Sequence, residues 1–183
     1  MIVIAVVLLV AGVEDAPPAA DDPVQRVAQA LADGAAAETK RNPRKLAAAA
    51  QALDLLGARP TEGSENAAQQ FRTRAEAAGF KTTPPFRGRA LGPAYSQGTL
   101  APGASLATSQ IFLAGQKAVV ALVPDRGGKL AIRVGEAGGT AICERSIAPP
   151  RGGCSWMPVF TRRVEIRVSN PDRRPVRYWL VSN

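Results

Sequence analysis

Apolar residues recur at helical spacing up to about residue 80 and at every second position from Tyr95 onward. That switch of period, from about 3.6 to 2, limits the chain to an α+β arrangement in two parts: helices first, strands after. With 183 residues there is room for one ordinary domain or two small ones, and the reading adopted here is two. Residues 22–80 form a small helical domain of two to three helices, residues 81–91 a linker and residues 92–183 an antiparallel β-sandwich, jelly-roll-like, of about eight strands.

In the helical part, Asp22-Pro23 and Asn42-Pro43 each set a capping side chain before a proline suited to the first turn, and Gly57 and Gly79 supply left-handed stops. Helices are expected over 23–33, with a resumption through 39, over 43–56 and over 64–78. Their buried stripes are rich in alanine, which allows close approach but buries little area at about 25 cal/mol per Å². A single helical pair is too short for a repeat array, so a cap packed on the β-half is favoured. Thr83-Pro84-Pro85 and the residues after it have linker composition.

In the second part, strands are expected over 95–100, 105–113, 117–123, 129–134, 140–146, 153–158, 163–169 and 175–182, separated by Gly and Pro turns. Val164, Ile166 and Val168 should face the core while Glu165, Arg167 and Ser169 face water. Cys143 and Cys154 flank the Pro149–Gly153 loop, and in a hairpin across that loop they would lie at bridging distance. A disulfide is the favoured reading; a two-thiol metal site, which lacks further ligands, and a pair of reduced core cysteines are the alternatives. Ile2 to Val13 is an aliphatic run of twelve residues, too short at about 1.5 Å each to cross a hydrocarbon layer of about 30 Å. It reads as the apolar part of a signal peptide over residues 1–16, although no base precedes it. Export and the disulfide together point to a periplasmic or extracellular protein with no membrane span in its mature chain.

The order Gly115-Gln116, Asp125, Leu130-x-Ile132-x-Val134, Cys143, Cys154-x-Trp156-x-Pro158, Val164-x-Ile166-x-Val168-x-Asn170 and Tyr178-x-Leu180-x-x-Asn183 resembles the bacterial pre-peptidase C-terminal family, over about half the chain. The resemblance implies a compact β-sandwich of the kind appended to secreted enzymes and implicated in export, folding or attachment. The family's acidic calcium positions have no counterpart here, so no calcium site is carried over.

The chain has no histidine and only two cysteines, which removes the commonest acid–base, triad and zinc chemistries. Ser155, Glu136, Glu144 and Glu165 read as strand and turn residues, and Gly127-Gly128 is followed by a strand pattern where a phosphate loop needs a helix. No enzyme activity, cofactor or metal is expected. The net charge of +8 divides into −3 over residues 1–21, +4 over 22–91 and +7 over 92–183. A basic surface attracts polyanions, yet bases are neither clustered in runs nor interleaved with aromatics, so nucleic acid is not an expected partner. The expected role is non-catalytic binding or assembly, with a protein or an envelope surface as partner. The alternative is a carbohydrate module: if Tyr178 and Leu180 point inward, Trp179 points outward with Arg177 and Val181, and an exposed indole there could stack on a sugar with help from Arg167. Either that indole is exposed or the helical segment covers it.

Overall fold

The computed structural model describes residues 22–82, 91–125 and 127–183. The expected signal peptide and most of the linker lie outside the described residues. Three helices, α1 (Pro23–Thr39), α2 (Pro43–Leu55) and α3 (Ala67–Ala77), precede the main strands, with a two-residue strand β1 (Arg59–Pro60) between α2 and α3. Asp22 accepts from the Val24 amide at 3.0 Å, Asn42 from Lys45 at 3.1 Å and Asn66 from Gln69 at 3.0 Å, so each helix opens on a side-chain cap. Gly57 and Gly79 take positive φ after α2 and α3, as expected. Helix α1 runs unbroken past Asp33, and Gly34 within it leaves room for the Phe71 ring of α3, which a side chain there would strike.

The strands are β2 (Ala94–Leu100), β3 (Ser105–Phe112), β4 (Ala118–Pro124), β5 (Leu130–Gly135), β6 (Ala141–Ile147), β7 (Gly152–Trp156), β8 (Arg162–Ser169) and β9 (Val176–Ser182). They form a five-stranded sheet in the order β1-β2-β9-β4-β7 and a four-stranded sheet in the order β3-β8-β5-β6. Pairing is antiparallel except between β1 and β2. The fold is thus the expected α+β sandwich, with β1 added from within the helical segment.

Two apolar clusters divide the interior. One lies between the sheets and includes Val120, Leu122, Ile132, Val134, Val164, Ile166, Tyr178 and Leu180. The other lies between the helices and the outer face of the five-stranded sheet, where Val27, Leu31, Leu53 and Phe71 meet Tyr95, Val119, Ala121, Val123, Trp179 and Val181. The helices therefore form a third layer on the sandwich, and β4 is buried along all seven of its residues because both of its faces are covered. At about 1.5 to 3 kcal/mol for each large apolar side chain removed from water, these two clusters are the dominant source of stability.

A disulfide joins Cys143 to Cys154, with Cα atoms 6.0 Å apart. The expected hairpin is not its setting. Cys143 is on β6, the edge of the four-stranded sheet, and Cys154 is on β7, the edge of the five-stranded sheet. Strand β6 pairs with β5 and β7 with β4, so the chain crosses between sheets at residues 148–151 and the bridge ties the two edges together.

Candidate functional site

Strand β9 settles where the residues marked in the sequence go. Tyr178 and Leu180 point between the sheets and Trp179 and Val181 point the other way, as the pleat requires. That outer face is the one the helices cover. Trp179 and Val181 are both 0% exposed, which corrects the expectation of an indole open to a sugar ring. Phe71 of α3 meets the Trp179 ring edge-on at 6.5 Å, and the Arg177 guanidinium lies over it at 5.0 Å.

Arg177 is held on both sides. Its Nη2 donates to Glu38 of α1 at 3.0 Å and reaches Asp125, after β4, at 3.1 Å. Glu38 also pairs with Arg74 of α3. A cleft of about 540 Å³ opens beside this group, lined by Glu38, Arg41, Leu46, Arg74, Asp125 and Arg177 among others. Glu38, Arg74, Asp125 and Arg177 are committed to one another, so the arrangement works as a joint between the helical layer and the sheet. Arg167 lies apart from it, on the outer face of β8, where it pairs with Glu165 at 3.0 Å. The structure thus brings Arg177, Trp179 and Val181 together under the helices and leaves Arg167 on another surface.

A second tether reaches α1 from the disulfide end. Arg151, in the crossing between sheets, donates to Gln29 at 2.8 Å and to the buried Gln25. No group of three or more potential metal ligands occurs among the described residues.

The open surface is at one end of the sandwich. Aromatic Phe112 and Trp156 stack edge-to-face at 4.8 Å between the sheets and anchor the loops that leave β3 and β7. Gly115 takes φ +69° to turn the first loop, its amide donates to the Pro158 carbonyl at 2.9 Å, and the Ala114 amide donates to the Thr161 hydroxyl at 3.0 Å. Laced together in this way, the two loops present Met157, Val159 and Phe160 at 59, 78 and 75% exposure, beside half-exposed Ile111 and Leu113. Basic residues follow the two loops in the chain: Lys117, which reaches Asp22 at 3.5 Å, Arg162, which bonds Glu136 at 2.7 Å, and Arg163, which stands opposite Ile111 in the ladder. Sequence reading passed over this patch because Val159-Phe160 is a short apolar pair with no period. Its only signal is two large apolar residues inside a turn, where polar ones are usual.

No protein-family model matches the chain, and no curated protein matches it. Solved structures similar to it include a de novo designed double-stranded beta-helix, at 16% identity and a TM-score of 0.34, covering 49% of this chain and 97% of that one. Another is PliG of Aeromonas hydrophila, a periplasmic lysozyme inhibitor of g-type lysozyme, at 14% identity and a TM-score of 0.37, covering 50% of this chain and 84% of that one. Likeness at this level speaks to neither activity nor partner.

Proposed function

We propose that this chain is a non-catalytic binding protein of the bacterial periplasm or extracellular space, which engages a protein partner through the loop end of its sandwich. The observation that carries the reading is the apolar patch of Met157, Val159 and Phe160: large side chains held in water by hydrogen-bonded loops are costly unless something covers them. Export is supported by the bridge between Cys143 and Cys154, since disulfides persist in oxidising compartments. No helix among the described residues is long and apolar enough to cross a membrane.

Membership of the pre-peptidase C-terminal family is part of the same proposal. It is supported by where its residues fall: Trp156 against the inner cluster, Pro158 buried at the root of the patch, and Asn170 buried with its amide donating to the carbonyls of Leu100, Ala101 and Arg174. The test is crosslinking of the secreted protein in its native envelope, wild type against Val159→Ser/Phe160→Ser. A crosslinked partner lost in the double variant, while the fold is intact, is the expected result. An identical crosslinking pattern for both chains, or recovery of an unprocessed chain with two free thiols, would refute it.

A further inference from the structure

A β-sandwich exposes the outer edges of its sheets, and unpaired edges invite another strand. Three of the four edges here are guarded. Strand β1 has only two residues, and past it the outward groups of β2 are met by the Thr61 amide, which donates to the Tyr95 carbonyl at 2.8 Å, and by the Ser64 hydroxyl, which accepts from the Gln97 amide at 3.3 Å. Strand β6 carries Glu144 and Arg145, and β7 is five residues long. These last two are also tied together by the disulfide. The fourth edge, β3, has none of these devices. Its sequence Ser-Leu-Ala-Thr-Ser-Gln-Ile-Phe contains no charge and no proline over eight residues, and it pairs with β8 in unbroken register from Ser105↔Ser169 to Phe112↔Arg162. All of its residues except Gln110 and Phe112 are exposed.

The direction of its free backbone groups follows from the ladder. The Asn170 amide donates to the Ala104 carbonyl at 2.9 Å, so Ala104 faces β8, and by alternation so do residues 106, 108, 110 and 112. Ser105, Ala107, Ser109 and Ile111 therefore turn their N–H and C=O groups outward, where they meet no backbone partner among the described residues. The end of this edge, at Ile111, runs straight into the exposed patch of Leu113, Val159 and Phe160.

We infer that β3 accepts an extended segment of the partner protein as an added antiparallel or parallel strand, with acidic side chains in that segment and an apolar residue seated on the loop patch. The inference rests on the binding role proposed above. Charge selects the occupant: the β-half carries +7 and the whole chain +8, so a second copy is repelled, whereas an acidic strand is drawn toward Arg163 on the neighbouring β8, where Arg167 already offsets Glu165. Main-chain hydrogen bonds to the outward groups would supply affinity, and the patch would supply selectivity.

The test is amide hydrogen exchange on the oxidised, full-length protein, with synthetic peptides as long as β3: one alternating glutamate and valine, one alternating lysine and valine, and a form of the first N-methylated on the residues that would face β3. The acidic peptide should slow exchange at Ala107, Ser109 and Ile111 and lose affinity as salt rises. The N-methylated form and the Ser109→Pro variant, which removes an outward donor while leaving the ladder to β8, should each weaken binding by about tenfold or more. Equal binding of the N-methylated or the lysine peptide, protection away from β3, or no binding would overturn the inference. A dimer that Ser109→Pro converts to monomer would also overturn it, by showing that a second copy holds the edge. Loss of crosslinking in the loop variant with no peptide effect at β3 would leave the binding role standing and remove only the strand addition.

Discussion

The Arg177 guanidinium lies 5.0 Å from the centre of the Trp179 ring, and both side chains project from the same strand into the layer beneath the helices. The indole fills the space between sheet and helices, and the guanidinium closes it at the rim with Glu38 and Asp125. Trp179→Ala should therefore cost about 3 to 5 kcal/mol of stability, as expected for a large aromatic lost from a packed interior. Denaturant unfolding followed by near-ultraviolet circular dichroism measures it. A change below about 0.5 kcal/mol, the ordinary range for surface substitutions, would contradict the burial.

Replacing both cysteines, as Cys143→Ser/Cys154→Ser, should lower stability by about 2 to 3 kcal/mol, because the bridge closes a short loop in the unfolded chain. Thermal unfolding of the wild type with and without reductant should reproduce the same difference.

Gly34→Ala sets two effects against each other. Alanine inside a helix is worth up to about 1 kcal/mol over glycine, but a methyl at this position runs into the Phe71 ring, which is itself fully buried. Overpacking costs about 1 to 3 kcal/mol, so the variant should be less stable than wild type. Pairing it with Phe71→Leu should recover part of the loss, and a double-variant cycle by chemical denaturation reads the coupling.

Burial pushes the phenols of Tyr95 and Tyr178 above their ordinary value of 10.0; for Tyr95 the Ala67 amide, which donates to its hydroxyl at 2.9 Å, pulls the other way. A group that holds its proton more tightly when folded stabilises the fold fully below its unfolded value and loses that contribution as pH rises through the higher folded value. Stability should therefore fall above about pH 10. Tyr95→Phe should flatten the fall, as measured by denaturant midpoints across the alkaline range together with phenolate absorbance.

The eight main strands were legible because Gly and Pro turns separate short runs, and β8 shows why: Val164, Ile166 and Val168 alternate with Arg163, Glu165 and Arg167 along a sheet with one wet face. The same alternation is missing from Ala118-Val-Val-Ala-Leu-Val123, an unbroken apolar run that marks a strand covered on both sides. That run, with Trp179 and Val181 on β9, is the trace the helical layer leaves in the β-half. The hairpin expected around the disulfide failed for a different reason. Loop length and cysteine spacing are equally compatible with pairing in one sheet and with crossing to the other, and only the partners of β6 and β7 decide. Nor could the loop patch be read, since exposure of Val159 and Phe160 depends on hydrogen bonds between residues far apart in the chain.

The placement of the disulfide makes the sandwich mechanically asymmetric. One flank is riveted by a covalent bond, while the opposite flank, where β3 ends near the carboxyl terminus, is fastened by polar contacts such as Ser182 to Gln110 at 2.7 Å. Thermal opening of the two sheets must then pivot about the riveted side, and the first backbone to part from its neighbours is the flank that carries the unguarded strand.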